Sequence, residues 1–365
     1  GGAKPIGKIS LVAMEPAAGA AAVSPYCSFT DTRYTDITTG SPEERTMGIV
    51  RLSDTTGYYV DIYRSANTQS NDYVYHNVGD SLRLLDQDRR SVSTHAKPFA
   101  VDSADHDPPG FAQMKDYRST GVRSEGVIAL FSTPSPIAGE PSSFMQVYLP
   151  GEANREYFTA LAPPTRTAGR FYGRMRTPTP VVRQQGSAWE RPFLAVYEPF
   201  QGRGGYAVTS VERLTGTDEG NFTALRVTEA TTGQRQLIFE SGQPAREFSV
   251  GDARFKGRYG VAAFGKDESL RYLYLGKGSS LAWKGFAISA DGGETSCNLA
   301  FSADTITVSS LAPLTVTIRG KNITGVRLWE NGRLRSVPVT GEKDLRQFRL
   351  PAVMAAKILV ETGPR

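Results

Sequence analysis

Arg45-Thr46-Met47-Gly48-Ile49-Val50-Arg51-Leu52 and Gly57-Tyr58-Tyr59-Val60-Asp61-Ile62-Tyr63-Arg64 read as two strands. They lead into a third, Asp72-Tyr73-Val74-Tyr75-His76-Asn77, with Val78-Gly79-Asp80-Ser81-Leu82 behind it. β-Branched and aromatic residues fill these runs, glycine and aspartate bound them, and no apolar period of 3.6 residues is sustained. The same rhythm continues outward. Glu125–Phe131, Phe144–Leu149, Ala224–Thr228 and Arg235–Glu240 are further short runs of this kind. The chain is predicted to be all-β.

Phe193–Tyr197 and Leu270–Leu275 are apolar or aromatic at successive positions, so both faces of these strands need cover. That favours a large antiparallel multi-sheet sandwich over a single barrel. Two stretches break the rhythm. Residues 94–118, with Asp105-His106-Asp107-Pro108-Pro109-Gly110, read as a long loop, and residues 162–185, with Pro163-Pro164 and Thr177-Pro178-Thr179-Pro180, as an extended connection. Asp291-Gly292-Gly293-Glu294 suggests a boundary, giving a large domain over 1–290 and a small C-terminal β domain over 291–365. In the latter, Glu330-Asn331-Gly332-Arg333 carries the signature of a type I′ hairpin, which needs positive φ at both central residues.

With 365 residues, 39% hydrophobic and 22% charged, the chain has the composition of an ordinary globular protein. No apolar run reaches the roughly 18 to 20 residues that cross a bilayer as a helix, so no membrane insertion is expected. The net charge of +5 is carried mostly by arginine, including Arg166, Arg170, Arg174, Arg176 and Arg183. Guanidinium forks pair bidentately with carboxylate and sulfate-like anions, which suits an acidic polysaccharide. The cations are interleaved with acidic residues and form no nucleic-acid-binding module. Cys27 and Cys297 are expected as two buried thiols.

Three histidines are present, His76, His95 and His106. Strand periodicity puts Tyr73, Tyr75 and Asn77 on one face and Asp72, Val74 and His76 on the other. His76 has the chemistry of a neutral zinc ligand or of a donor to a substrate carboxylate. The plain alternative is a histidine satisfied by hydrogen bonds between strands. His106, among Asp102, Asp105 and Asp107, reads as part of a solvated acidic loop, and His95 as a surface residue. No Gly-x-Ser-x-Gly elbow, His-Glu-x-x-His helix or phosphate-binding glycine loop is present.

The strand pair ending in Asp72-Tyr73-Val74-Tyr75-His76 resembles the sheet half of the heparinase II/III-like polysaccharide lyases. The likeness continues through Arg191-Pro192-Phe193-Leu194-Ala195-Val196-Tyr197-Glu198-Pro199-Phe200 and Leu270-Arg271-Tyr272-Leu273-Tyr274-Leu275-Gly276-Lys277-Gly278 with Trp283, over roughly residues 24 to 290. The resemblance implies a super-sandwich fold and β-elimination on uronic-acid polysaccharide in a secreted or periplasmic setting. It also implies an upstream α/α toroid, without which the chain is expected to be inactive. It further implies catalytic roles for His76, Tyr73 and Tyr75, substrate contacts from Arg64, Arg118, Arg174 and Trp189, and zinc as the cofactor at His76. The alternative from a different class is a free-standing carbohydrate-binding or structural β protein, with Trp189, Trp283 or Trp329 as a stacking platform.

Overall fold

The computed structural model describes residues 9–363 apart from 38, 78, 100–110, 136, 165–172, 203–204, 215–220, 231 and 303–304. Among these residues the regular elements are antiparallel strands, with a single 3₁₀ turn at Phe111–Gln113. The all-β sandwich expectation therefore holds.

The chain folds as two compact units. The first holds residues 34–45 and 55–207, and the second residues 9–33, 46–54 and 208–365. In the first unit the strands Gly57–Ser65, Phe193–Gln201, Ser143–Leu149, Val127–Thr133 and Ser81–Leu85 lie side by side. A separate five-stranded sheet has the order Ser70–Val74, Thr177–Gln185, Arg155–Ala162, Lys115–Arg123, His95–Ala96. The two sheets share one core, in which Tyr73, Tyr157 and Val182 of the second meet Phe131, Val147 and Ala195 of the first. Alternation explains this arrangement, since Phe193, Ala195 and Tyr197 recur every second residue and so all point to the same side.

The strand Thr177–Gln185 corrects the expectation of a connection over 162–185, because Pro178 and Pro180 lie within a paired strand. The Pro180 carbonyl accepts from Tyr75 N (3.2 Å), so the ring nitrogens of both prolines face the side of Ser70–Val74. That neighbour ends at Val74, opposite Val181; Pro180 comes next, opposite Tyr75, and has no N–H to return the second bond of that pair, which fits the paired strand stopping there. The expected loop over 94–118 is likewise strand at its ends, His95–Ala96 and Lys115–Arg123. The Asp105–Gly110 segment lies outside the described residues.

In the second unit a single extended sheet runs from Val208–Leu214 through Leu270–Trp283 to Val353–Thr362 and Ile323–Glu330. Residues 291–365, expected as a separate small domain, are joined to what precedes them. Thr295–Phe301 pairs with Leu270–Trp283, and Leu314–Arg319 pairs with Phe286–Ala290. One apolar core takes in Phe239, Leu275, Val316 and Ile358 alike. The Gly292-Gly293 turn, which suggests a boundary in the sequence, links strands of one sheet. The hairpin at Asn331-Gly332 forms as expected, with φ of 49° and 77° and Glu330 opposite Arg333.

Candidate functional site

The strand Ser70–Val74 and the two residues after it carry the expected tyrosines and histidine, and they point to opposite sides. Tyr73 enters the core between the two sheets and is 6% exposed. Its hydroxyl donates to Asp61 Oδ2 at 2.6 Å, so it accepts the very short hydrogen bond from the Tyr197 hydroxyl. Asp61 is fully buried on Gly57–Ser65 and takes a bidentate pair from Arg45, Nε to Oδ1 at 2.9 Å and Nη2 to Oδ2 at 2.6 Å. The Arg45 side chain is 45% exposed, so the buried carboxylate holds a guanidinium whose outer edge meets water. Tyr75 sits beside Tyr197, ring centroids 4.8 Å apart, and edge-on to Phe131.

Burial raises the pKa of Tyr73, and the negative charge of Asp61 raises it further. Burial is also the leading cause of the upward shifts of Tyr197 and Tyr75. All three are therefore phenols near neutral pH, able to give a proton but not poised to remove one. The expected role of Tyr73 as a group in contact with substrate conflicts with its position, sealed between sheets; what it does there is hold Asp61 and Tyr197 in register.

His76 lies beyond the end of the paired strand and is exposed. Its Nδ1 is 2.9 Å from Thr179 Oγ1, and Thr179 is fully buried. The Thr179 hydroxyl donates its one proton to the Thr177 carbonyl at 3.0 Å. It therefore accepts from His76, which fixes the proton on Nδ1 and leaves the Nε2 lone pair facing outward. Partial burial lowers the His76 pKa, so the ring is neutral near pH 7. A neutral imidazole with its unprotonated nitrogen turned to solvent is a competent proton acceptor.

A zinc site at His76 would need further ligands. Among the described residues no group of three or more His, Cys, Asp or Glu side chains is gathered, and the hydrogen-bond partner of His76 is a threonine. These residues do not make a metal cage, and no chemistry is routed through one. His106 and its aspartates lie outside the described residues, and His95 is exposed at a strand end.

The expected substrate-binding residues separate by burial. Arg64 is 1% exposed and donates to the Trp189 carbonyl at 2.5 Å, so it ties two segments together inside the unit and cannot reach a polymer. Trp189 is half-buried. Arg118 is exposed and held by Thr94, through Oγ1 at 3.0 Å and the carbonyl at 2.7 Å, and Arg174 is exposed. On the same face of the sheet as His76, Arg183 forms a bidentate pair with Asp72 (2.7 Å) and lies 3.7 Å over the Phe99 ring. Sequence reasoning missed Asp61, Arg45, Tyr197 and Thr179. Asp61 left a readable trace, a carboxylate at an inward strand position between Tyr59 and Tyr63 that needs a partner if buried.

Residues 208–301 match the family model of the endo-acting ulvan lyase C-terminal domain. Over 291 residues the chain is also 30% identical to a protein of Formosa agariphila described as an endo-acting ulvan lyase. That match covers 77% of this chain and 34% of the relative, so the chain spans about a third of the relative's length. Both comparisons fall within the polysaccharide lyases, the broad class expected from the sequence, and they name ulvan lyases, not heparinase II/III-like proteins.

Proposed function

We propose that the chain is the sheet-forming part of a polysaccharide lyase that cleaves ulvan, an acidic polysaccharide, by β-elimination. The observation that carries this reading is the 30% identity to an endo-acting ulvan lyase across three-quarters of the chain. The basic, arginine-rich composition is what an anionic polymer would select.

In β-elimination a base takes the C5 proton of a uronate, the C4–oxygen bond breaks as a C4–C5 double bond forms, and the departing oxygen gains a proton. The uronate carboxylate must be neutralised for the C5 proton to become acidic. We assign proton removal to His76 Nε2, which the Thr179 contact leaves unprotonated. Arg118 and Arg174 are the exposed guanidiniums we assign to the polymer's anionic groups. The buried Tyr73–Asp61–Arg45 network is assigned the task of holding the two sheets in the geometry that presents His76.

The two-thirds of the relative that this chain does not span leaves room for a further domain. An upstream helical toroid supplying the acid for the leaving oxygen fits that length. A polymeric substrate also argues for a secreted or periplasmic enzyme. Incubation of the protein with ulvan should generate ultraviolet-absorbing unsaturated uronate ends. Retention of ulvan with no unsaturated product would replace this reading with a binding protein.

A further inference from the structure

A cleft of about 370 Å³ opens on the second unit, and its residues all fall inside the matched segment 208–301. Its floor is apolar and comes from the rim of that unit's core, where Leu214 and Leu237 are half-buried beside Phe264 and Trp283. The last two rings touch, centroids 4.3 Å apart.

Three cations stand around this floor, each from a different segment. Arg226 comes from the strand Phe222–Glu229, Arg235 from Arg235–Ser241, and Lys284 from the turn after Leu270–Trp283. Lys284 Nζ lies 4.9 Å over the Trp283 ring. Each cation has a carboxylate partner, Arg226 with Glu212 at 3.0 Å, Arg235 with Glu268, and Lys284 with Asp252 at 3.5 Å. The partner side chains are 50%, 53% and 62% exposed, so these are solvent-screened pairs that contribute little to stability. An incoming oxyanion can replace such a partner at little cost, and arginine favours the planar two-oxygen geometry that sulfate and carboxylate present. Of the charged residues that line the cleft itself, three are cations and two, Asp252 and Glu268, are carboxylates.

We propose that this cleft binds one anionic sugar unit of a polysaccharide, a sulfate ester or uronate carboxylate meeting Arg226, Arg235 and Lys284 while the C–H face of the ring rests on the half-buried Leu214 and Leu237. The volume lies in the range of about 300 to 1,000 Å³ usual for small-ligand sites. The site is separate in sequence from His76 and does not depend on the His76 assignment. It rests on the proposed acidic-polysaccharide reading and extends it, giving the sheet part a grip on polymer of its own.

The test is titration of the 365-residue chain with size-defined ulvan oligosaccharides and with the same oligosaccharides after chemical desulfation and carboxyl reduction. The variants Arg235→Gln and Lys284→Gln, singly and together, change only half-exposed side chains. Thermal unfolding and a backbone NMR spectrum confirm that they fold. The double variant should bind native oligosaccharide at least about tenfold more weakly, and the neutralised sugars should bind wild type as weakly. In ¹H–¹⁵N spectra the Trp283 indole should shift on titration. Native oligosaccharide bound equally by wild type and double variant overturns the cleft while leaving the acidic-polysaccharide reading in place. Wild-type chain that binds no anionic oligosaccharide at all overturns both.

Discussion

Two regions three residues apart in sequence behave in opposite ways. Around Tyr73 the polar groups are paired with one another: a buried carboxylate joins two buried phenols to a guanidinium fork, and only the outer edge of that fork meets water. At His76, just past the strand end, a single hydrogen bond to a buried threonine orients a ring whose other nitrogen is left to solvent. The contrast shows how one short strand can be fully engaged on one face and leave an exposed, half-anchored imidazole on the other. Enclosure makes a polar group a brace, because its bonds are already spent inside, whereas a half-anchored group at an edge keeps one interaction for a ligand.

The contrast can be broken first on the enclosed side. Asp61→Ala strips a fully buried carboxylate from Arg45 and Tyr73 and should cost about 3 kcal/mol in urea unfolding. A loss under about 0.5 kcal/mol would mean that the network is not a brace. Tyr73→Phe keeps the ring but removes the hydroxyl between Asp61 and Tyr197, for an expected loss of about 1 kcal/mol by the same measurement. Smallest is the effect at His76, whose lowered pKa has a defined sign. The unfolded chain protonates this ring at the ordinary value near 6.5, whereas the folded chain resists until lower pH. The contribution is fully present above about pH 6.5 and is lost as pH falls through the folded pKa. An NMR titration should place the His76 midpoint below 6.5 with Nδ1 protonated in the neutral form; a midpoint above 6.5 or an Nε2-protonated ring would contradict the geometry.

The strands themselves were legible because period-two patterning and turn residues are local signals. The Asn331-Gly332 hairpin shows this best, since its two positive φ angles follow from residue type alone. The prolines at 178 and 180 misled because tolerance of a missing N–H depends on where the neighbouring strand stops, which is a tertiary fact. The Gly292-Gly293 turn misled for a related reason, because a glycine pair marks a change of direction without saying whether the sheet continues across it. At the site, the opposition of Tyr73 and His76 followed from alternation. Arg64 was misjudged because arginine is usually exposed, and only the folded chain shows its guanidinium turned to the Trp189 carbonyl. Thr179 left no trace, because a threonine that sets a tautomer is identified by its second hydrogen bond.

The proposed function puts chemistry on the open face and support on the enclosed one, and the direct test is His76→Gln in the protein. Formation of unsaturated uronate from ulvan should fall by about a hundredfold or more, with unfolding stability within about 0.5 kcal/mol of wild type. Product formed at the wild-type rate by that variant would remove His76 from the reaction and contradict the account.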